Sequence, residues 1–71
     1  MQVEKVFNSA MLESANYDPT DGSLTITFVK GGVYKFDKVP EAMWHALCTN
    51  PSAGRYFLKN IRDKYSFTKM N

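Results

Sequence analysis

Residues 23 to 36, SLTITFVKGGVYKF, alternate apolar and polar side chains on both sides of a glycine pair. Strict alternation is the mark of a half-buried strand, because successive side chains on a strand point to opposite faces. Two such runs joined by a short glycine-containing loop form a hairpin. A two-residue loop, Gly31-Gly32, sets Phe28 opposite Lys35 and Ile26 opposite Asp37, which mixes apolar and charged side chains on one face. A three-residue loop, Lys30-Gly31-Gly32, pairs Val29 with Val33, Phe28 with Tyr34, Thr27 with Lys35 and Ile26 with Phe36. Leu24, Ile26, Phe28, Tyr34 and Phe36 then share one face, so both rings are expected to point inward. Such loops place their last residue in the left-handed region, which assigns Gly32 a backbone role.

The remaining elements follow from the same patterning. Residues 3–8 read as an edge strand, 11–17 as a second strand, and DPTDG at 18–22 as a turn, since Pro presets φ while Asp and Gly accept turn conformations. Pro40 suits the start of a helix over about 40–48, with Met43, Trp44, Ala46 and Leu47 on one side and Glu41, His45 and Cys48 on the other. Ser52 is a suitable N-cap for a second helix over about 53–64, in which Phe57, Leu58, Ile61 and Tyr65 share a side and Gly54 weakens the first turn. Residues 65–71 either add a last strand or lie on the surface. The expected fold is α+β: a small antiparallel sheet of three to four strands, with its central hairpin at about 23–37, packed against two short C-terminal helices. Residues 1–71 form a single domain, with no repeat or linker.

A chain of 71 residues is near the lower size limit for independent folding. Cys48, the one cysteine, has no internal disulfide partner, which favours a reducing, cytoplasmic setting. No stretch has the length and apolarity of a membrane span or a leader.

Catalysis by an activated nucleophile requires a base and an orienting group, and His45 is the single histidine. His45 and Cys48 alone fall short of a zinc site, Asp18 and Asp21 lack the ligand series of a calcium loop, and KGG opens no helix onto a phosphate. The chain is accordingly read as a non-enzyme with no metal and no cofactor. Charge, by contrast, is unevenly spread. Residues 1–50 hold four lysines against six acids, a net −2, while residues 51–71 hold five cations against Asp63, a net +4. Arg55, Lys59 and Arg62, spaced i, i+4 and i+7, fall within about 60° of helix arc opposite Phe57 and Ile61. This basic stripe suits phosphate contact, with Lys64 and Lys69 extending it and Lys35 near by; a merely solvated helix face has the same spacing.

The ordered residues Ser9, Tyr17-Asp18, Leu24, Phe28, Gly32, Tyr34-x-Phe36, Val39-Pro40, Ser52, Gly54, Phe57, Asn60-Ile61-Arg62 and Tyr65 resemble the KTSC domain. That family occurs at the C-terminus of some lysyl-tRNA synthetases and as short stand-alone bacterial and phage proteins. The resemblance covers about residues 9–67, and departs from the family at Phe36, commonly tyrosine, and Leu58, commonly asparagine. The family has no established activity, and its synthetase context suggests RNA as a partner. Two readings follow: an RNA- or nucleic-acid-binding module acting through Arg55, Lys59 and Arg62, or a phage- or prophage-encoded module that docks on a host protein through Trp44 or Tyr56.

Overall fold

Seven elements run in the order β1 (Val3–Val6), β2 (Leu12–Asp18), β3 (Ser23–Phe28), β4 (Val33–Phe36), α1 (Glu41–Thr49), α2 (Ala53–Asn60) and β5 (Phe67–Lys69) in the computed structural model, which describes residues 2–70. The strands form one antiparallel sheet in the order β1-β2-β3-β4-β5. The sheet thus has five strands rather than three to four: both 3–6 and the alternating segment 67–69 are edge strands. The first helix spans 41–49 rather than 40–48, with Pro40 just before it, and the second ends at Asn60 rather than at 64.

The hairpin keeps the expected faces in a different register. Leu24 pairs with Phe36, Ile26 with Tyr34 and Thr27 with Val33. The Phe28 N–H donates to the Gly32 carbonyl at 3.1 Å, so the three-residue loop is Val29-Lys30-Gly31, one position earlier than the sequence pattern suggested. Gly31 (φ 103°) and Gly32 (φ 99°) both take positive φ, and the two together set the register. The shift moves each cross-strand partner by two residues, which leaves every side chain on its original face.

One face of the sheet is covered. Leu12, Ala15, Tyr17, Leu24, Ile26 and Phe36 are buried on it against Trp44 and Leu47 of α1 and Ala53 and Phe57 of α2, with Val39 and Ile61 closing the ends. A β-bulge between Leu12 and Ser14 lets Leu12 and Ala15 both point inward although they are three residues apart. The opposite face carries Asn16, Thr25 and Lys35 in one cross-strand row and Ser14, Thr27 and Val33 in another, a mainly polar surface open to solvent.

Tyr17 ties the layers together. Its ring stacks on Trp44 at 5.4 Å and 12°, and its hydroxyl donates a buried hydrogen bond of 2.6 Å to the Val39 carbonyl. Burial, assisted by the negative charges of Glu41, Asp18 and Asp21, raises the Tyr17 pKa above its ordinary value. The expected helix caps are only partly realised. Ser52 precedes α2, but its hydroxyl makes no capping bond; the Ser52 N–H donates instead to Asn50 Oδ1 at 2.8 Å.

Gly22 has a fixed backbone duty. It adopts φ 75°, its carbonyl accepts the Val39 N–H at 2.8 Å, and a Cβ there meets the Val39 carbonyl oxygen at 3.1 Å and the Val39 nitrogen at 3.2 Å. Gly22→Ala is therefore expected to cost at least about 1–2 kcal/mol, the penalty of a left-handed non-glycine residue, measured by urea denaturation; an unchanged midpoint contradicts this. Tyr17 gives a pH prediction. Its folded pKa is raised above 10.0, so its contribution is complete below pH 10 and is lost as pH rises through the higher folded value. Tyr17→Phe is expected to lower stability by about 1–3 kcal/mol at neutral pH, because the Val39 carbonyl loses its donor, and to flatten the alkaline decline above pH 10. Matched denaturation series at pH 7 to 11 test both parts.

Candidate functional site

Five aromatic rings form a closed circuit at the β4–β5 edge of the covered face. Tyr34 meets Phe28 edge-on at 5.5 Å, Phe28 meets Phe57 at 5.5 Å, and Phe57 meets Phe36 at 5.4 Å. Phe36 meets Phe67 at 5.5 Å, and Phe67 returns to Tyr34 at 5.3 Å. These spacings are those of favourable ring pairs. All five rings line one open cleft of about 740 Å³, to which Ala10, Met11 and Leu58 add apolar surface and Lys30 and Arg62 add charge.

The circuit is a bowl. Phe36 and Phe57, 2% and 1% exposed, are its floor; Phe28 and Tyr34 are half-buried walls, and Phe67 is 51% exposed. The bowl exists because the helices do not cover the whole sheet. Helices of nine and eight residues extend about 12–14 Å, whereas five strands spread over about 19 Å from first to last. Both edge strands lie outside the cover: β1 and β5 are exposed along their whole length, and beside β5 Tyr34 of β4 is only half-buried. Phe36 is buried as expected, but Tyr34 is only half-buried and lines the cleft, a correction to the expectation that both rings are enclosed.

The predicted cations do not converge on one site. Arg55, Lys59, Arg62 and Lys64 are all exposed. Only Arg55 and Lys59 lie within α2; Arg62 follows its end, where the Ile61 and Arg62 N–H groups both donate to the Phe57 carbonyl at 3.0 Å. The basic stripe is consequently a helical pair followed by residues of a turn. Arg62 reaches the aromatic bowl, and its Nε lies 3.5 Å from Asp63 Oδ1 in an exposed ion pair. Arg55 lines a second, more polar cleft of about 620 Å³, with Lys5, Ser9 and Cys48, which shares Ala10, Met11 and Leu58 with the first.

Lys69 pairs with Tyr34 across β4 and β5, which puts both side chains on the covered face of the sheet. Lys35 pairs with Thr25 and Thr68, places its side chain on the opposite face, and is thereby removed from the α2 cations. Two residues join the site unannounced by the stripe: Lys30 at the hairpin tip and Phe67. The alternation in SFTKM was the available signal for Phe67. Trp44 is 4% exposed and Tyr56 half-buried, with its hydroxyl 3.1 Å from Met43 Sδ, so Trp44 offers no docking surface.

His45 Nε2 and Glu41 Oε2 form an exposed pair at 3.3 Å, away from both clefts. Burial raises the Cys48 thiol pKa, an effect opposed by the Lys5 charge. Among the described residues no three His, Cys, Asp or Glu side chains gather as metal ligands, and no helix is long and apolar enough to cross a membrane.

Ser9, Gly54 and Tyr65 take part in local packing. Ser9 Oγ accepts the Met11 and Leu12 N–H groups at 3.1 and 3.2 Å, and Gly54 lets the first turn of α2 approach that corner: a Cβ there meets Met11 Cβ at 3.3 Å. Tyr65 packs half-buried against the core.

The structure is thus a two-layer α+β domain with an open, cation-edged aromatic cleft. The chain belongs to the KTSC domain family, whose model matches residues 8–65. It is similar to a lysine–tRNA ligase of Nostoc sp., 31% identical over 62 residues that cover 87% of this chain and 11% of the ligase, so the chain spans only a small part of that enzyme's length. An uncharacterized protein of Stutzerimonas stutzeri is 37% identical over 49 residues, 69% of each chain. The crystal structure of a KTSC domain protein from Yersinia pestis superposes with a TM-score of 0.93 at 28% identity and full coverage of both chains.

Exposure ranks the rings energetically. Phe57→Ala is expected to cost about 3–5 kcal/mol, the range for a fully buried aromatic, and Tyr34→Ala distinctly less, because that residue is only half-buried. Equal losses in chemical denaturation contradict the open bowl.

Proposed function

We propose that this domain is a non-enzymatic module that binds RNA in the cytoplasm through the cations along and beyond α2. The observation that carries this reading is the run of exposed Arg55, Lys59, Arg62 and Lys64, in which Asp63 is the one acid. Guanidinium and ammonium groups on a short helix and the turn that follows it can meet successive phosphates. The similarity to part of a lysine–tRNA ligase supports RNA as the nucleic acid. Docking on a host protein through Trp44 is disfavoured by the burial of that ring.

Binding carried by phosphates weakens steeply with salt, by a logarithmic slope of about −0.7 per phosphate neutralised on a single strand. The triple variant Arg55→Glu, Lys59→Glu, Arg62→Glu is expected to lose most affinity for a labelled RNA and to reduce the salt slope by about two, with an unaltered circular dichroism spectrum. Fluorescence anisotropy over a salt series measures both quantities. Affinity and slope equal to those of the parent refute the proposed function.

A further inference from the structure

The geometry points to the aromatic bowl as a subsite for one unpaired nucleobase, held by ring stacking while Lys30 and Arg62 take the flanking phosphates. This inference rests on the proposed RNA binding and adds to it that the RNA is single-stranded where it is gripped. A base inside a duplex has no free face to offer, whereas an unstacked base can lie on an aromatic side chain.

Three observations select this occupant. Ring surface remains open at the bowl: Phe67 is 51% exposed, and Tyr34 and Phe28 are half-buried. The volume of about 740 Å³ lies in the range of small-ligand pockets. The third observation is charge. Among the described residues the lining is apolar apart from Lys30, Arg62 and the Tyr34 hydroxyl and contains no acid, and Lys69 stands beside Tyr34 on the next strand. An apolar peptide segment satisfies the rings but offers these cations no anion; a nucleotide offers a flat π-face and an anionic backbone together. Arg62 also has a weak competitor in Asp63, an exposed pair at 3.5 Å that a phosphate can displace. Few polar groups line the bowl, so it has little means of reading base edges, and stacking there tolerates different bases.

Anisotropy titrations compare a labelled single-stranded RNA, a duplex of the same length, and an abasic strand of the same charge. The expected result is at least tenfold tighter binding of the base-bearing single strand than of either alternative. Phe67→Ala, which removes an exposed ring and leaves the floor intact, is expected to lower single-strand affinity about tenfold while its melting temperature stays near that of the parent. Tyr34→Phe retains a stacking face and is expected to bind like the parent; Tyr34→Leu, checked for folding by circular dichroism, is expected to bind weakly. Equal, salt-sensitive binding of all three nucleic acids, unaffected by Phe67→Ala, overturns the bowl subsite and leaves phosphate binding by α2 standing. Binding of none of them overturns both. Protection of Phe67 and Tyr34 by a protein partner, with no RNA bound, overturns both in favour of a protein-docking surface.

Discussion

Phe57 is the side chain on which the two layers meet. It projects from the middle of α2 between Phe28 of β3 and Phe36 of β4, edge-on to both at about 5.5 Å, and is 1% exposed. A sheet that is apolar on one face is stable only when that face is covered, and a chain of this size has few side chains with which to do it. Phe57 seats α2 over the hairpin, while Trp44 on Tyr17 seats α1 over β2. The position of α2 in turn decides where the cover ends and hence where the aromatic bowl opens. Core and candidate site are consequently built from one set of rings, with floor residues serving stability and wall residues left free to meet a ligand.

Much of this was legible in the sequence. The alternation of Leu24, Ile26 and Phe28 placed those residues inward, and Phe36 followed. Alternation cannot distinguish registers that differ by two residues, because both keep the same faces together. The choice was made by backbone geometry at Gly31 and Gly32, which both adopt positive φ. The apolar period of the second helix continues through Ile61, and Ile61 is fully buried, yet the helix ends at Asn60. A buried side chain one residue beyond a helix preserves the pattern without preserving the geometry, and for that reason Arg62 left the predicted stripe and joined the bowl.

The bowl was hidden in the sequence for a different reason. Tyr34 lies on the inward face of its strand, and whether an inward residue is enclosed depends on the reach of a distant helix. β5 is exposed along its whole length, beyond the cover of α2. Lys30 was masked by its reading as a loop residue, and Phe67 by its place in a short edge strand. The C-terminal cations were visible as a composition shift; the placing of Arg55 and Arg62 at two clefts required the fold.

The central claim is that open aromatic surface and neighbouring positive charge act together on an unpaired strand. Proton NMR of the aromatic side chains during titration with single-stranded RNA tests this most directly. Stacking of a base in the bowl predicts upfield ring-current shifts of the Phe67 and Tyr34 ring protons, saturating together with amide shifts at Arg62 and Lys30. Amide shifts confined to α2, with the Phe67 and Tyr34 rings unmoved at saturation, contradict the account.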